Sequence, residues 1–205
     1  MSGSACLKIG VFGGTFDPVH IGHLVVATEA LAALRLDKVQ FVLAGTPPHK
    51  PGQIVSSNEH RSAMLELAIA GRPGFELSDA DLRREGPSYS ADLLRAFRAE
   101  HPQDELYFII GADSLRDFHT WQQPASIPKL AIIAVAGRPG VELDIDSAAA
   151  LTPELAGRIV AIPIPEIGVS STDIRQRVQN GRQIWFQTPI AVEQYIADHG
   201  LYRPD

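Results

Sequence analysis

The stretch that decides the fold runs from residue 7 to residue 34, LKIGVFGGTFDPVHIGHLVVATEALAAL. It opens with a short apolar run over residues 7–12 that stops at Gly13-Gly14. From residue 21 the apolar side chains return at helical spacing, with Leu24, Ala27, Leu31 and Leu34 on one stripe. The pattern is strand, glycine turn, helix. Glycines at the end of a strand let main-chain N–H groups approach phosphate oxygens, and the start of the next helix adds the positive end of its dipole. A polyphosphate site is therefore expected in this turn. His20 and His23 stand three residues apart, which puts both rings on one face of the first helical turn. Two imidazoles there can donate hydrogen bonds to a triphosphate and stabilise charge that builds on it during transfer. Gly22 between them leaves room for the ligand.

Outward from this unit the alternation continues. Residues 38–44 read as a second strand, and Gly45, Thr46, Pro47, Pro48, Pro51 and Gly52 enforce a loop. A helix capped around Ser57 or Asn58 follows, with Ser56 and Glu59 at capping-box spacing. Residues 75–78 form a short strand, 90–100 a helix, and 106–110 a buried strand stopped by Gly111. Residues 130–136 and 159–164 are further strands, a helix begins near Ser171, and another follows Thr188-Pro189. Such alternation predicts an α/β fold, a mainly parallel sheet with helices on both faces, as one domain over residues 1–205. Ligands of such sheets bind beyond the carboxyl ends of the strands, where the Gly13, Gly45, Gly111 and Gly137 turns lie. Residues 144–157, rich in alanine and acids, read as the variable segment, and Trp185, Phe186 and Tyr195 read as packing residues.

Bulk properties narrow the function. The 205 residues are 45% hydrophobic and 20% charged with a formal net charge of -6, a globular composition with no pull toward nucleic acid or an anionic membrane. The lone Cys6 rules out an intrachain disulfide and a Cys-based zinc cluster, and fits a reducing cytoplasm. The start of the chain, interrupted by Lys8 and Gly10, does not read as a signal peptide. The apolar run at 130–136 is far short of the roughly 20 residues a membrane helix needs, so a soluble protein is expected. A P-loop and a G-x-G-x-x-G fingerprint are both absent, and a bare histidine pair does not make a metal site.

A second phosphate-binding candidate is Val169-Ser170-Ser171-Thr172-Asp173-Ile174-Arg175. Ser170 or Ser171 can cap a new helix, while hydroxyls, first-turn N–H groups and the Arg175 guanidinium can hold β- and γ-phosphates. Alone, the segment reads first as a plain cap with a solvated arginine.

Together, the segment from His20 to His23 resembles the H-x-G-H signature of the nucleotidyltransferase superfamily, and the segment from Val169 to Arg175 resembles its partner I-S-x-T-x-x-R. The resemblance implies a Rossmann-like nucleotidyltransferase fold, with ATP at Gly13, Gly14, Thr15, Phe16, His20, His23, Ser170, Thr172 and Arg175. Three central segments resemble bacterial nicotinate mononucleotide adenylyltransferases. Thr46-Pro47-Pro48-His49-Lys50 implies Thr46, His49 and Lys50 near the acceptor's phosphate. Pro87-Ser88-Tyr89-Ser90-Ala91-Asp92 implies Tyr89, Ser90 and Ala91 at the pyridine carboxylate, with Ser90 replacing the more usual threonine. Ile110-Gly111-Ala112-Asp113-Ser114 implies Gly111 and Asp113 at the adenosine ribose, with Trp121 over the nicotinate ring and Arg138 toward the ATP phosphates.

The implied catalytic residues are His20 and His23, with Mg²⁺ arriving on ATP and no metal site of the protein's own. The acceptor phosphate would attack the α-phosphorus directly. The partners implied are ATP and nicotinate mononucleotide, not nucleic acid or a membrane, and a homo-oligomer is left open. The three central segments argue against a phosphopantetheine acceptor, while intact His20, His23 and Arg175 argue against a regulator that has lost turnover.

Overall fold

The computed structural model describes residues 6–46, 56–137 and 143–204. Six strands, β1 (Lys8–Gly14), β2 (Lys38–Leu43), β3 (Phe75–Ser78), β4 (Glu105–Gly111), β5 (Ile132–Gly137) and β6 (Ile159–Pro163), form one sheet in the order β3-β2-β1-β4-β5-β6. Every neighbouring pair is parallel. The order reverses between β1 and β4, the topological switch point at which doubly wound sheets open a crevice. The helices are α1 (Ile21–Ala33), α2 (Asn58–Ile69), α3 (Ser90–Glu100), α4 (Ala112–Arg116), α5 (Ile127–Leu130), α6 (Ile145–Leu151), α7 (Ser171–Gln179) and α8 (Ile190–Asp198).

The period-2 geometry of the strands splits the core into two layers. On one face Phe12, Tyr107, Ile109 and Ala134 pack with Ala27 and Ala30 of α1, Met64 and Leu65 of α2, Ile174 of α7 and Val192 of α8. On the other, Ile9, Val11, Phe108, Ile110 and Val135 pack with Leu94 and Phe97 of α3, Leu115 of α4 and Ile127 of α5. Because both faces are covered, β4 and β5 are almost continuously apolar rather than alternating. Removing a side chain such as the buried Ile109 would cost about 2–5 kcal/mol.

Three local expectations change. The fifth strand begins at Ile132, because Leu130 closes α5, a short helix with proline in its first turn. α2 is capped by Ser57, one of the two expected caps, its hydroxyl accepting from the His60 N–H at 3.4 Å, so the capping box at Ser56 and Glu59 is not the cap that forms. Trp185 and Phe186 are not packing residues within this chain: they are 60% and 91% exposed, and Phe186 holds a left-handed φ of 60° that turns its ring outward. Tyr195, in α8, does pack, its hydroxyl 3.0 Å from the His60 Nδ1. Among the described residues no helix is long and apolar enough to cross a membrane.

Candidate active site

The turn from β1 into α1 lies at the carboxyl edge of the sheet, and side chains from the far end of the chain fix its backbone. The carbonyls of Asp17, Pro18 and Val19 accept in succession from Arg175 Nη1 at 2.6 Å, Ser171 Oγ at 2.9 Å and Thr188 Oγ1 at 2.8 Å. The Asp17 carboxylate, 2% exposed, accepts from the Tyr202 hydroxyl at 2.7 Å and the Ser56 N–H at 3.3 Å. Burial and the adjacent Asp17 charge push the Tyr202 pKa up, so the phenol remains a donor. The peptide bond between Asp17 and Pro18 is cis. These bonds satisfy polar groups that would otherwise be buried without partners; four of them tie a loop atom to α7 or to the segments flanking α8, and the Ser56 bond ties one to the segment before α2. Phe16, at φ 48°, turns under the loop, and a Cβ on Gly14 would lie 2.8 Å from its ring, which is why only glycine fits there.

The two histidines stack, with ring centroids 3.7 Å apart and planes at 28°. The His20 N–H donates to His23 Nδ1 at 3.2 Å, as in the backward half of a capping box. With Nδ1 accepting, neutral His23 carries its proton on Nε2. His20, 7% exposed, has its pKa pushed down to about 4 by burial and is neutral near pH 7. Its contribution is a single N–H dipole and its bulk, not a positive charge. Gly22 is needed because a Cβ there would meet His20 Cε1 at 3.0 Å and Nδ1 at 3.1 Å.

Two clefts flank this turn. The first, enclosing about 1040 Å³ of open space, is lined by His20, Gly22, His23, Asp113, Ile164 and Ser170. The second, about 780 Å³, is lined by Thr15, Asp81, Tyr89, Ser90, Phe108 and Trp121. Phe12, Gly13 and Gly111 line both. The clefts therefore meet at the ends of β1 and β4, where the strand order reverses. A ligand in each would have its inner end at the same place.

In the first cleft Ser170 caps α7, its hydroxyl accepting from the Asp173 N–H at 3.1 Å, so the positive end of that helix borders the cavity. In the second cleft Ser90 opens α3, whose first-turn N–H groups lack intrahelical acceptors and suit an anion. Trp121 packs on Phe118 at a ring distance of 5.1 Å and edge-on to Phe108 at 6.2 Å, which holds the indole at the cleft wall.

The structure thus brings Gly13, His20, His23, Gly111, Asp113 and Ser170 to one cleft, and Gly13, Gly14, Thr15, Tyr89, Ser90, Gly111 and Trp121 to the other. Some expected contacts fall elsewhere. Phe16 is 2% exposed and packs in the core, so its side chain supports the phosphate loop rather than touching a nucleotide. The side chain of Ala91 is fully buried against the sheet, because the face of α3 that bears it points into the core, which leaves its first-turn N–H as the group it can offer. Arg175 is drawn to the Asp17 carbonyl and to Thr172 Oγ1 at 3.3 Å, and neither Arg175 nor Thr172 is among the residues lining the cleft. Thr46 is held beside the second cleft by reciprocal bonds with Ser88, each 3.0 Å. His49, Lys50 and Arg138 lie outside the described residues.

Asp81 escaped the sequence reading. It is 5% exposed, accepts from the Gly45 N–H at 3.0 Å and pairs with Arg84 at 2.8 Å, so it locks the turn after β2 at the edge of the second cleft. Its signal was its place just past the end of β3, obscured by neighbouring acids and arginines that read as a solvated face.

A parallel sheet with a histidine-bearing phosphate loop at its switch point, and two adjoining clefts there, defines a Rossmann-type nucleotidyltransferase. The cytidylyltransferase-like family matches residues 11–177. A probable nicotinate-nucleotide adenylyltransferase of Thermomicrobium roseum is 47% identical over 196 residues, covering 96% of this chain and 92% of the relative. One of Thermus thermophilus is 45% identical over 197 residues, covering 96% and 100%. The chain belongs to this family, the nicotinate-nucleotide adenylyltransferases. In fold it is similar to the Plasmodium falciparum nicotinic acid mononucleotide adenylyltransferase complexed with NaAD, with a TM-score of 0.78 at 20% identity over 96% of this chain and 97% of that one.

Proposed function

We propose that this protein transfers the adenylyl group of ATP to nicotinate mononucleotide, forming nicotinate adenine dinucleotide and pyrophosphate in NAD synthesis. The observation that carries the reading is the meeting of the two clefts at Phe12, Gly13 and Gly111. ATP lies in the cleft of His20, His23 and Asp113, and the mononucleotide in the cleft of Ser90 and Trp121, with their phosphates converging on the shared wall. The nicotinate ring lies against Trp121 and its carboxylate faces the N-terminus of α3.

An oxygen of the acceptor phosphate attacks the α-phosphorus of ATP, the new P–O bond forms, and the bond from that phosphorus to the bridging oxygen breaks. The electron pair leaves with pyrophosphate. The acceptor phosphate is already ionised at neutral pH, so the step needs neither a general base nor an enzyme nucleophile. What the chain supplies is position and preorganised charge stabilisation. The Nε2–H of His23 and the phosphate loop meet the charge that grows on the triphosphate. Neutral His20 keeps His23 in register through stacking.

Arg175 acts mainly by holding the loop at Asp17, while His49 as a hydrogen-bond donor and Lys50 as a cation serve the acceptor phosphate and Arg138 serves the ATP phosphates. Mg²⁺ enters as part of the MgATP substrate. A cytoplasmic location is part of this proposal, supported by the free Cys6, which suits reducing conditions.

The test is to supply ATP labelled at the α-phosphorus together with nicotinate mononucleotide. Label in the dinucleotide, with unlabelled pyrophosphate, is expected. Label in the pyrophosphate, or none in the dinucleotide, would overturn the reading.

A further inference from the structure

Arg61, in α2, is 1% exposed, yet among the described residues none of its hydrogen bonds goes to a carboxylate. A guanidinium taken out of water is tolerated only when its donors are satisfied, and here the acceptors are nearly all main-chain carbonyls. Nε donates to Ser56 O at 3.0 Å, and Nη1 to Thr15 O at 2.8 Å and Ala44 O at 2.9 Å. Nη2 donates to Gly45 O at 3.4 Å and to Asn58 Oδ1. Burial lowers the Arg61 pKa while the charge of nearby Asp17 opposes that shift.

These acceptors do not belong to one element. Thr15 is in the phosphate loop after β1, Ala44 and Gly45 are in the turn after β2, and Ser56 leads into α2. Thr15 and Ala44 both line the acceptor cleft, and Gly13 and Gly14, just before Thr15, lead into it from the ATP side. The strand ladder itself ends with the Ala44 N–H donating to Gly14 O at 2.9 Å. Beyond that rung, Arg61 joins the two loops.

We infer that Arg61 is a positioning residue: its fork fixes the phosphate loop at Thr15 and the acceptor-side turn at Ala44 and Gly45 in one relation, and so sets the separation of the two reacting nucleotides. This rests on the proposed assignment of the clefts. A planar fork of donors in fixed directions suits acceptors spread over three segments, whereas a lysine offers three donors from a single point.

The test compares wild type with Arg61→Lys, which keeps the charge and loses the fork, under conditions where circular dichroism shows both folded. Turnover is expected to fall about 10- to 100-fold, the size of loss that follows a misplacement of roughly 1 Å or less, while the Michaelis constants for ATP and mononucleotide each move less than about 3-fold. The dinucleotide product spans both clefts, so its dissociation constant should rise about 10-fold or more, with separate ATP and mononucleotide binding barely changed. A purely structural role would lower the unfolding temperature and leave these ratios untouched.

Folded Arg61→Lys with wild-type turnover and dinucleotide affinity overturns the inference. If that variant does not fold, Asn58→Ala removes one of the two acceptors of Nη2 and should show the same split at about 3- to 10-fold, and an unchanged turnover there overturns the inference equally. Wild-type protein that binds the dinucleotide but forms none would count against the proposed function alone, since the binding split still reads out Arg61.

Discussion

Acidification should destabilise this protein through His20, and by an amount the structure sets. The ring is 7% exposed, and burial moves its pKa from 6.5 to about 4. A folded-state pKa below the unfolded one means that between these values the unfolded chain binds the proton and the folded chain does not. The stability is therefore fully present above pH 6.5 and is lost as pH falls toward 4. The whole shift corresponds to about 3 kcal/mol, of which about 2 kcal/mol is gone by pH 5. The assay is urea unfolding at pH 7.5 and pH 5.0 for wild type and His20→Asn, whose amide does not titrate. Other groups titrate alike in both proteins and cancel in the comparison. Wild type should lose about 2 kcal/mol more than the variant over this interval. Equal losses would refute the buried neutral imidazole, and with it the reading of His20 as an uncharged partner of His23.

Gly22→Ala places a methyl 3.0 Å from His20 Cε1, and the ring, stacked 3.7 Å from His23, has little room to retreat. Turnover should fall about 10-fold for a shift of a few tenths of an ångström, while stability changes by less than about 1 kcal/mol because alanine favours the helix. Steady-state kinetics and thermal melts check both figures. Trp121→Ala should raise the Michaelis constant for the mononucleotide by about 5- to 150-fold, the equivalent of about 1–3 kcal/mol of ring stacking, with that for ATP moving less than 3-fold. Equal effects on the two substrates would remove Trp121 from the acceptor site.

The parts of this molecule legible in its sequence are those whose chemistry is local. β4 announces itself as an unbroken apolar run because helices cover both of its faces, and His20, Gly22 and His23 announce a phosphate site because motif, glycine turn and helix start coincide. A second apolar run, over residues 130–136, hid the boundary at Leu130, since periodicity cannot separate the end of a four-residue helix from the start of a buried strand. The bonds that hold the phosphate loop were not legible at all. Arg175 reaches the carbonyl of Asp17 across 158 positions and Thr188 that of Val19 across 169, and a carbonyl acceptor leaves no mark on residue type. Orientation was equally hidden: Phe16 and Ala91 occupy motif positions, but loop geometry and helix phase point their side chains into the core. Trp185 and Phe186 look like core residues by type, yet both are exposed, Phe186 from a left-handed backbone.

The central claim is that the Ser90 and Trp121 cleft takes nicotinate mononucleotide as the acceptor of an adenylyl group. It is tested most directly by pyrophosphate release from MgATP with purified protein and three acceptors in parallel: nicotinate mononucleotide, nicotinamide mononucleotide and phosphopantetheine. A kcat/KM for the first at least about 10-fold above either of the others is predicted, because one carboxylate facing the start of α3 contributes on the order of 1.4 kcal/mol or more of discrimination. A higher kcat/KM for nicotinamide mononucleotide or phosphopantetheine, or no release with any of them, would contradict it.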